Sequence, residues 1–141
     1  MGISDGDTIT ILDAENRQHK IRLSGIDAPE KAQAFGNRAR QHLARLAFGM
    51  SVTVEWRKHD KYGRIVGKVL ANCEQPGCPR DAGLEQLNAG MAWWYRKDAG
   101  EQSHEDRERD EKAERTARDG KIGLWRDPNP VPPWDWRKQN K

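Results

Sequence analysis

Strand-like alternation dominates the first part of the chain and helical spacing follows it. TITIL at 8–12 and KIRLSGI at 20–26 alternate apolar with polar side chains or favour β-branched ones, the period of half-buried strands. The polar DAENRQ between them predicts a hairpin loop. From Ala34 to Ala47 the period lengthens: Ala39, Leu43, Leu46 and Ala47 share one helical face, and Gly49 supplies a stop. SVTVEW at 51–56 and RIVGKVLA at 64–71 predict two further strands, joined by RKHDKYG with Tyr62-Gly63 as its turn signal. AGLEQLNAG predicts a short helix ending at Gly90. Ser103 to Asp119 predicts a highly charged helix with only Ala113 and Ala117 turned inward, followed by Ile122, Leu124 and Trp125 as packing residues. Four or five short strands with a helix after the third and more helices at the end suggest an α+β domain with a mainly β core, a small barrel of the oligonucleotide-binding kind. The expected organisation is one domain over 1–125 and a Pro/Trp-rich tail over 126–141, packed on the domain or flexibly attached.

Composition narrows this picture. A chain of 141 residues is long enough for one core. A hydrophobic share of 35% against a charged share of 33% predicts a small core under a charged skin, and six tryptophans argue against general disorder. The 25 basic and 22 acidic residues leave a mild positive excess, which permits nucleic acid without demanding it. No apolar run reaches the length of a membrane span, so no membrane partner is expected. The opening MGISDGDT starts almost inside a structural element, which suggests that a leader was removed. Cys73 and Cys78 flank the turn EQPG, where a local disulfide is geometrically easy, and such a pair fits a secreted or periplasmic protein. His19, His42, His59 and His104 are dispersed among polar neighbours without ligand spacing and are expected to be solvated.

The chemistry lies in three short stretches, each with a purely structural explanation beside the functional one. SDGDT can be a tight turn whose Asp7 and Thr8 decorate the next strand. GIDAPE can be a turn with Glu30 opening a helix as a favourable N-terminal charge. DKYGR can be a polar hairpin end. Arg22 resists such a reading, because Ile21 and Leu23 should face the core and leave it on the opposite face, over a cleft. Together, Asp7, Asp27 and Glu30 with Arg22 and Arg64 make the set that metal-assisted phosphodiester cleavage requires: hard oxygen ligands, and planar cations for phosphate oxygens.

The order DGDT, KIRLSGIDAPE, FG, DKYGR, LNAGMAWWY, GLW strongly resembles the staphylococcal nuclease family, or thermonucleases, over residues 3 to about 125. The resemblance implies a five-stranded oligonucleotide-binding barrel with three helices that hydrolyses DNA and RNA, single-stranded or locally open, with one calcium ion, leaving 3′-phosphate ends. It implies Asp7, Asp27 and the backbone carbonyl of Ala28 as calcium ligands. Glu30 resembles the residue that positions or deprotonates the attacking water, and Arg22 and Arg64 the pair that stabilises the transition state. Lys61 and Tyr62, and less closely Tyr95, resemble nucleotide contacts. Losing one such charge contact typically raises a barrier by about 3 kcal/mol, roughly a hundredfold in rate. Arg22→Ala, Arg64→Ala and Glu30→Gln are therefore each expected to fall at least that far with folding intact. Three features depart from the family pattern. The first strand is expected to be shortened, the loop from Glu30 to Phe35 holds only KAQA, and Trp134 and Trp136 either anchor the tail or stack on bases. A non-catalytic binding module on the same barrel, or a scaffold acting on small nucleotides, are the other classes; a monomer is the default.

Overall fold

The computed structural model describes residues 2–140. Strands β1 (Gly2–Asp5), β2 (Thr8–Leu12) and β3 (Gln18–Leu23) form an antiparallel meander, and β4 (Ile26–Asp27) follows a turn at Gly25. Helix α1 (Gly36–Ala47) leads into β5 (Val52–His59) and β6 (Ile65–Ala71), then β7 (Arg80–Asp81) and α2 (Ala82–Asn88). Strand β8 (Trp93–Trp94), helix α3 (His104–Asp119) and helix α4 (Pro133–Gln139) complete the order. The main sheet runs β1-β2-β3-β6-β5, with β3 and β6 parallel and every other long pair antiparallel. Counting the long strands alone, that order is 1-2-3-5-4, the path of an oligonucleotide-binding barrel. The domain is α+β with a β-dominated core, as the sequence resemblance implies.

The core follows the alternation. Ile9, Ile21, Leu23, Ile26 and Val69 are essentially inaccessible and meet Ala39 and Leu43 of α1 and Leu87 of α2. Ile9 lies opposite Ile21 and Thr8 opposite Arg22, so the register that buries the isoleucines places Arg22 on the other face beside the turn at residues 6–7. A second cluster of Trp93, Ala117, Leu124 and Trp125 receives Phe35 and Trp134 from the edges.

The opening residues form a short paired strand, β1, of four residues. Four sequence expectations change. Helix α1 starts at Gly36 and not at Ala34, because Phe35 is left-handed (φ 68°) and a Cβ on Gly36 would lie 2.0 Å from the Glu30 carbonyl oxygen. That close approach folds the short Glu30 loop back onto the helix start. Helix α3 turns Asp110 and Glu114 inward as well as Ala113 and Ala117, because the backbone N–H of Trp94 donates to Glu114 (2.6 Å) and Gln102 donates to Asp110 (2.8 Å). Ile122 is 41% exposed, unlike the buried Leu124 and Trp125. His42 is half-buried and hydrogen-bonded to the wholly buried Gln86, and His19 contacts Asp13 at 2.8 Å, so neither is simply solvated. Cys73 and Cys78 form a disulfide in the connection from β6 to β7. Residues 133–139 of the proline-rich stretch are helical, started by Pro133 in the first turn. Among the described residues, no helix is long and apolar enough to cross a membrane.

Candidate active site

The acidic turn between β1 and β2 is held from below by a buried polar network. Gly6 allows it, since a Cβ there would sit 2.6 Å from the Ala39 side chain and 2.8 Å from that of Ala28. Gln86, fully buried, donates to the Gly6 carbonyl (2.8 Å) and to the Ala39 carbonyl (2.9 Å), tying the turn to α1 and α2. Asp7 is thereby fixed: its Oδ2 accepts from the Ala28 N–H (2.8 Å) and its Oδ1 from the Thr8 hydroxyl (3.1 Å). Asp27, at 1% exposure, comes from β4 and pairs across to Trp93.

Arg22 lies between the two acids. Its Nη1 is 3.6 Å from Asp7 Oδ2 and its Nη2 3.5 Å from Asp27 Oδ1. The same guanidinium donates to the carbonyls of Leu23 and Ile26, each at 2.8 Å, so it also closes the turn from β3 to β4. Arg64 belongs to the β5–β6 hairpin, where Asp60 accepts from its Nε (2.7 Å) and its guanidinium lies 5.4 Å from the Tyr62 ring centre. Lys61 stands over the same ring at 5.2 Å. Tyr95, after β8, donates its N–H to the Gly25 carbonyl, and its ring lies 5.6 Å from that of Trp134.

A cleft of about 690 Å³ gathers these groups: Asp7, Arg22, Asp27, Glu30, Lys61, Tyr62, Arg64 and Tyr95 all line it. Ala28 is buried beneath, its N–H committed to Asp7. Eight of the nine sequence-predicted positions therefore share one wall-to-wall groove, and the ninth supports it.

Sequence reasoning missed other lining residues, chiefly Asp5, Asp98 and Arg137. Asp5 carried a signal in DGD but reads there as a turn residue. Arg137 carried none, being 110 positions from Asp27, yet it makes close contacts with two of the cleft acids. Its Nη2 donates to Asp27 Oδ2 (2.7 Å), and its Nη1 to Glu30 Oε1 (2.5 Å) and Asp27 Oδ1 (3.2 Å).

The electrostatics are those of crowded, buried acids. Burial and the adjacent Asp7 charge push Asp5 up to about 7. Burial also opposes the charge on Asp7, but Arg22, Asp5 and the Ala28 N–H outweigh it and hold the carboxyl below its usual range. Burial leaves Asp27 raised despite Arg137 and Arg22. Clustered hard carboxylate oxygens are the right donor chemistry for a divalent ion such as calcium. Among the described residues, however, no three His, Cys, Asp or Glu side chains are drawn together as a ready-made metal cage. Both Asp27 oxygens are instead taken by Arg137.

An oligonucleotide-binding barrel whose cleft sets clustered carboxylates among arginines belongs to the class of proteins built to handle phosphodiesters. Comparison with known proteins agrees with that class and narrows it. The family model described as staphylococcal nuclease homologue matches residues 20–127. A micrococcal nuclease of Shigella flexneri is 45% identical over 99% of this chain and 79% of its own length. The protein ParB of Escherichia coli is 43% identical over 98% of this chain and 77% of its own. An uncharacterized endonuclease of Haemophilus influenzae is 37% identical over 99% and 71%. The chain belongs to the staphylococcal nuclease family.

Proposed function

We propose that the protein is a calcium-dependent nuclease that hydrolyses phosphodiester bonds in DNA and RNA, single-stranded or locally open, and leaves 3′-phosphate ends. What carries this reading is the convergence of Asp7, Asp27, Glu30, Arg22 and Arg64 on one open cleft with Lys61, Tyr62 and Tyr95 along its wall. Family membership and the nuclease names of the relatives support the reaction class.

Asp7, Asp27 and the Ala28 carbonyl are the residues that would hold the ion, which supplies positive charge beside a non-bridging phosphate oxygen. The remaining chemistry is the chain's own. Attack of water at phosphorus adds negative charge to the non-bridging oxygens, and the forks of Arg22 and Arg64 match two such oxygens while remaining protonated at any working pH. Glu30 accepts a hydrogen bond from the attacking water, fixing it in line with the leaving 5′ oxygen. It takes the proton or orders the water. Scission of the bond from phosphorus to the 5′ oxygen leaves the phosphate on the 3′ side and a 5′ hydroxyl once that oxygen gains a proton. Lys61 meets a flanking phosphate, and the rings of Tyr62 and Tyr95 offer faces to bases that only an unpaired strand can present. The protein acts as a monomer, and the disulfide suits a secreted or periplasmic site of action.

The test is digestion of plasmid and of single-stranded DNA and RNA with calcium and with chelator. Chelator-sensitive degradation is expected, faster on single strands, with 5′-hydroxyl products that polynucleotide kinase labels without prior phosphatase treatment. Glu30→Gln should lower the rate by about a hundredfold or more. Binding of polynucleotide without cleavage would return the chain to the class of binding modules.

A further inference from the structure

We propose that Arg137 is a built-in competitor for the metal. On this view helix α4 docks as a cap that a divalent ion must displace from Asp27, so tail docking and metal binding are mutually exclusive at that carboxylate. The inference rests on the reading of Asp7 and Asp27 as the ion's ligands.

Three observations carry it. First, the Arg137 fork engages both oxygens of Asp27 and one of Glu30. The lone pairs it occupies are those a divalent ion would need, and the water-positioning carboxylate is occupied in the same stroke. A guanidinium and a divalent cation directed at the same edge of one carboxylate crowd and repel each other, so they compete for it.

Second, the helix bearing Arg137 is docked by a few discrete anchors. Pro133 is fully buried, Trp134 lies 5.5 Å from Trp93 and 5.6 Å from Tyr95, and Gln33 donates to the Val131 carbonyl at 2.7 Å. Beneath it a cavity of about 150 Å³ remains between Pro29, Phe35, Val131 and Trp136. The seam beside the C-terminal half of the helix is thus incompletely filled. The Arg137 side chain is itself 41% exposed, so it can swing to solvent without opening the core.

Third, the acids need a cation either way. Asp27 is almost inaccessible, and Arg22 stands at 3.5 Å, in ion-pair range but beyond a strong hydrogen bond. Arg137 supplies the close contacts, and the ion would take them over. Because the coupling is reciprocal, the metal weakens α4 docking by the same factor by which Arg137 weakens the metal. Release of the helix would also uncover the Trp134 side of the Tyr95 ring, opening the groove as the ion enters.

Calcium titration calorimetry on the full chain tests this with wild type, Arg137→Ala, Arg137→Lys and the exposed neighbour Lys138→Ala. Arg137→Ala is expected to bind calcium about tenfold tighter than wild type, equivalent to ~1.4 kcal/mol of coupling. Arg137→Lys should fall between, since it keeps the charge and loses the fork. Lys138→Ala should match wild type, which separates the contact from net charge. Hydrogen exchange supplies the second readout: saturating calcium should speed amide exchange across 133–139 in wild type. Equal or weaker calcium affinity in Arg137→Ala overturns the proposal while leaving the metal site intact, as does unchanged exchange in α4 when calcium is bound. If no variant binds calcium at all, the metal reading of the site fails together with it.

Discussion

Arg22 and Arg64 resemble each other as family residues, but the structure separates them sharply as structural ones, and paired truncation exposes the difference. The Arg22 side chain is 13% exposed and has four partners: two acids at 3.5–3.6 Å and two carbonyls at 2.8 Å. Arg22→Ala leaves Asp7 buried without its cation, Asp27 held by Arg137 alone, and the Leu23 and Ile26 carbonyls short of a donor. Breaking a buried ion pair by removing one partner costs about 3–5 kcal/mol. For a domain of this size that lowers the melting temperature by roughly 10–15 °C. Arg64 pairs only within its own hairpin, to Asp60, at 25% exposure, so Arg64→Ala should cost about 1 kcal/mol or less. The expectation that both variants keep their folding intact is therefore revised for Arg22. Both should lose at least roughly a hundredfold in turnover, but only Arg22→Ala should melt early. The assay is thermal unfolding in chelator beside plasmid cleavage in calcium. The Arg22→Ala deficit should also shrink as pH falls from 7 toward 4, because Asp7, left without its cation, escapes its penalty by taking up a proton. Equal melting temperatures for the two variants at pH 7 would refute the account of Arg22 as the keystone of the acid pair.

Two further outcomes follow from the buried network behind the site. Gln86→Leu keeps the volume but leaves the Gly6 carbonyl and the His42 ring without their partner, so it should destabilise by about 2–4 kcal/mol and weaken calcium binding without touching the cleft; chemical denaturation and calorimetry check both. Asp5 is raised from 3.8 to about 7, so the folded state keeps a proton that the unfolded chain sheds, and this group's contribution is full below about pH 4 and declines as pH rises toward 7. In chelator, Asp5→Asn should therefore equal wild type near pH 4 and exceed it near pH 8 by something on the order of 2 kcal/mol, after allowance for solvent screening. A urea midpoint that stays parallel to wild type across that range would contradict the crowding of the acids.

The sequence made the periodic part of the molecule legible and left the aperiodic part hidden. Ile9, Ile21 and Leu23 announce their burial through a two-residue period, and the register they enforce is what delivers Arg22 to the acidic turn. The cleft was readable because its members sit in short local motifs whose neighbours fix their direction. Gln86 was not, since a glutamine on an amphipathic helix reads as surface; only the folded contact shows two carbonyls from other elements calling for one donor. Asp110 and Glu114 were hidden for the same reason, reading as part of a solvated face until Gln102 and the Trp94 N–H are seen to meet them. Arg137 was the least visible, because an ion pair across 110 positions has no spacing rule.

These failures share a physical cause that also bears on the site. A carboxylate at 1% exposure remains charged only beside a cation, so burying Asp27 commits the fold to supplying one, and to supplying it from wherever the chain can reach. Arg22 supplies part of that charge from the adjacent strand, at a distance that leaves the demand unfilled. The unmet remainder draws a guanidinium from the far end of the chain, and it is the charge that the proposed divalent ion would meet in its place. The proposed metal site, built on two buried acids, is thus also one that the protein's own arginines compete to fill. The chemistry that makes DGDT and GIDAPE look like metal ligands is sufficient to explain why an arginine from the tail is found on them.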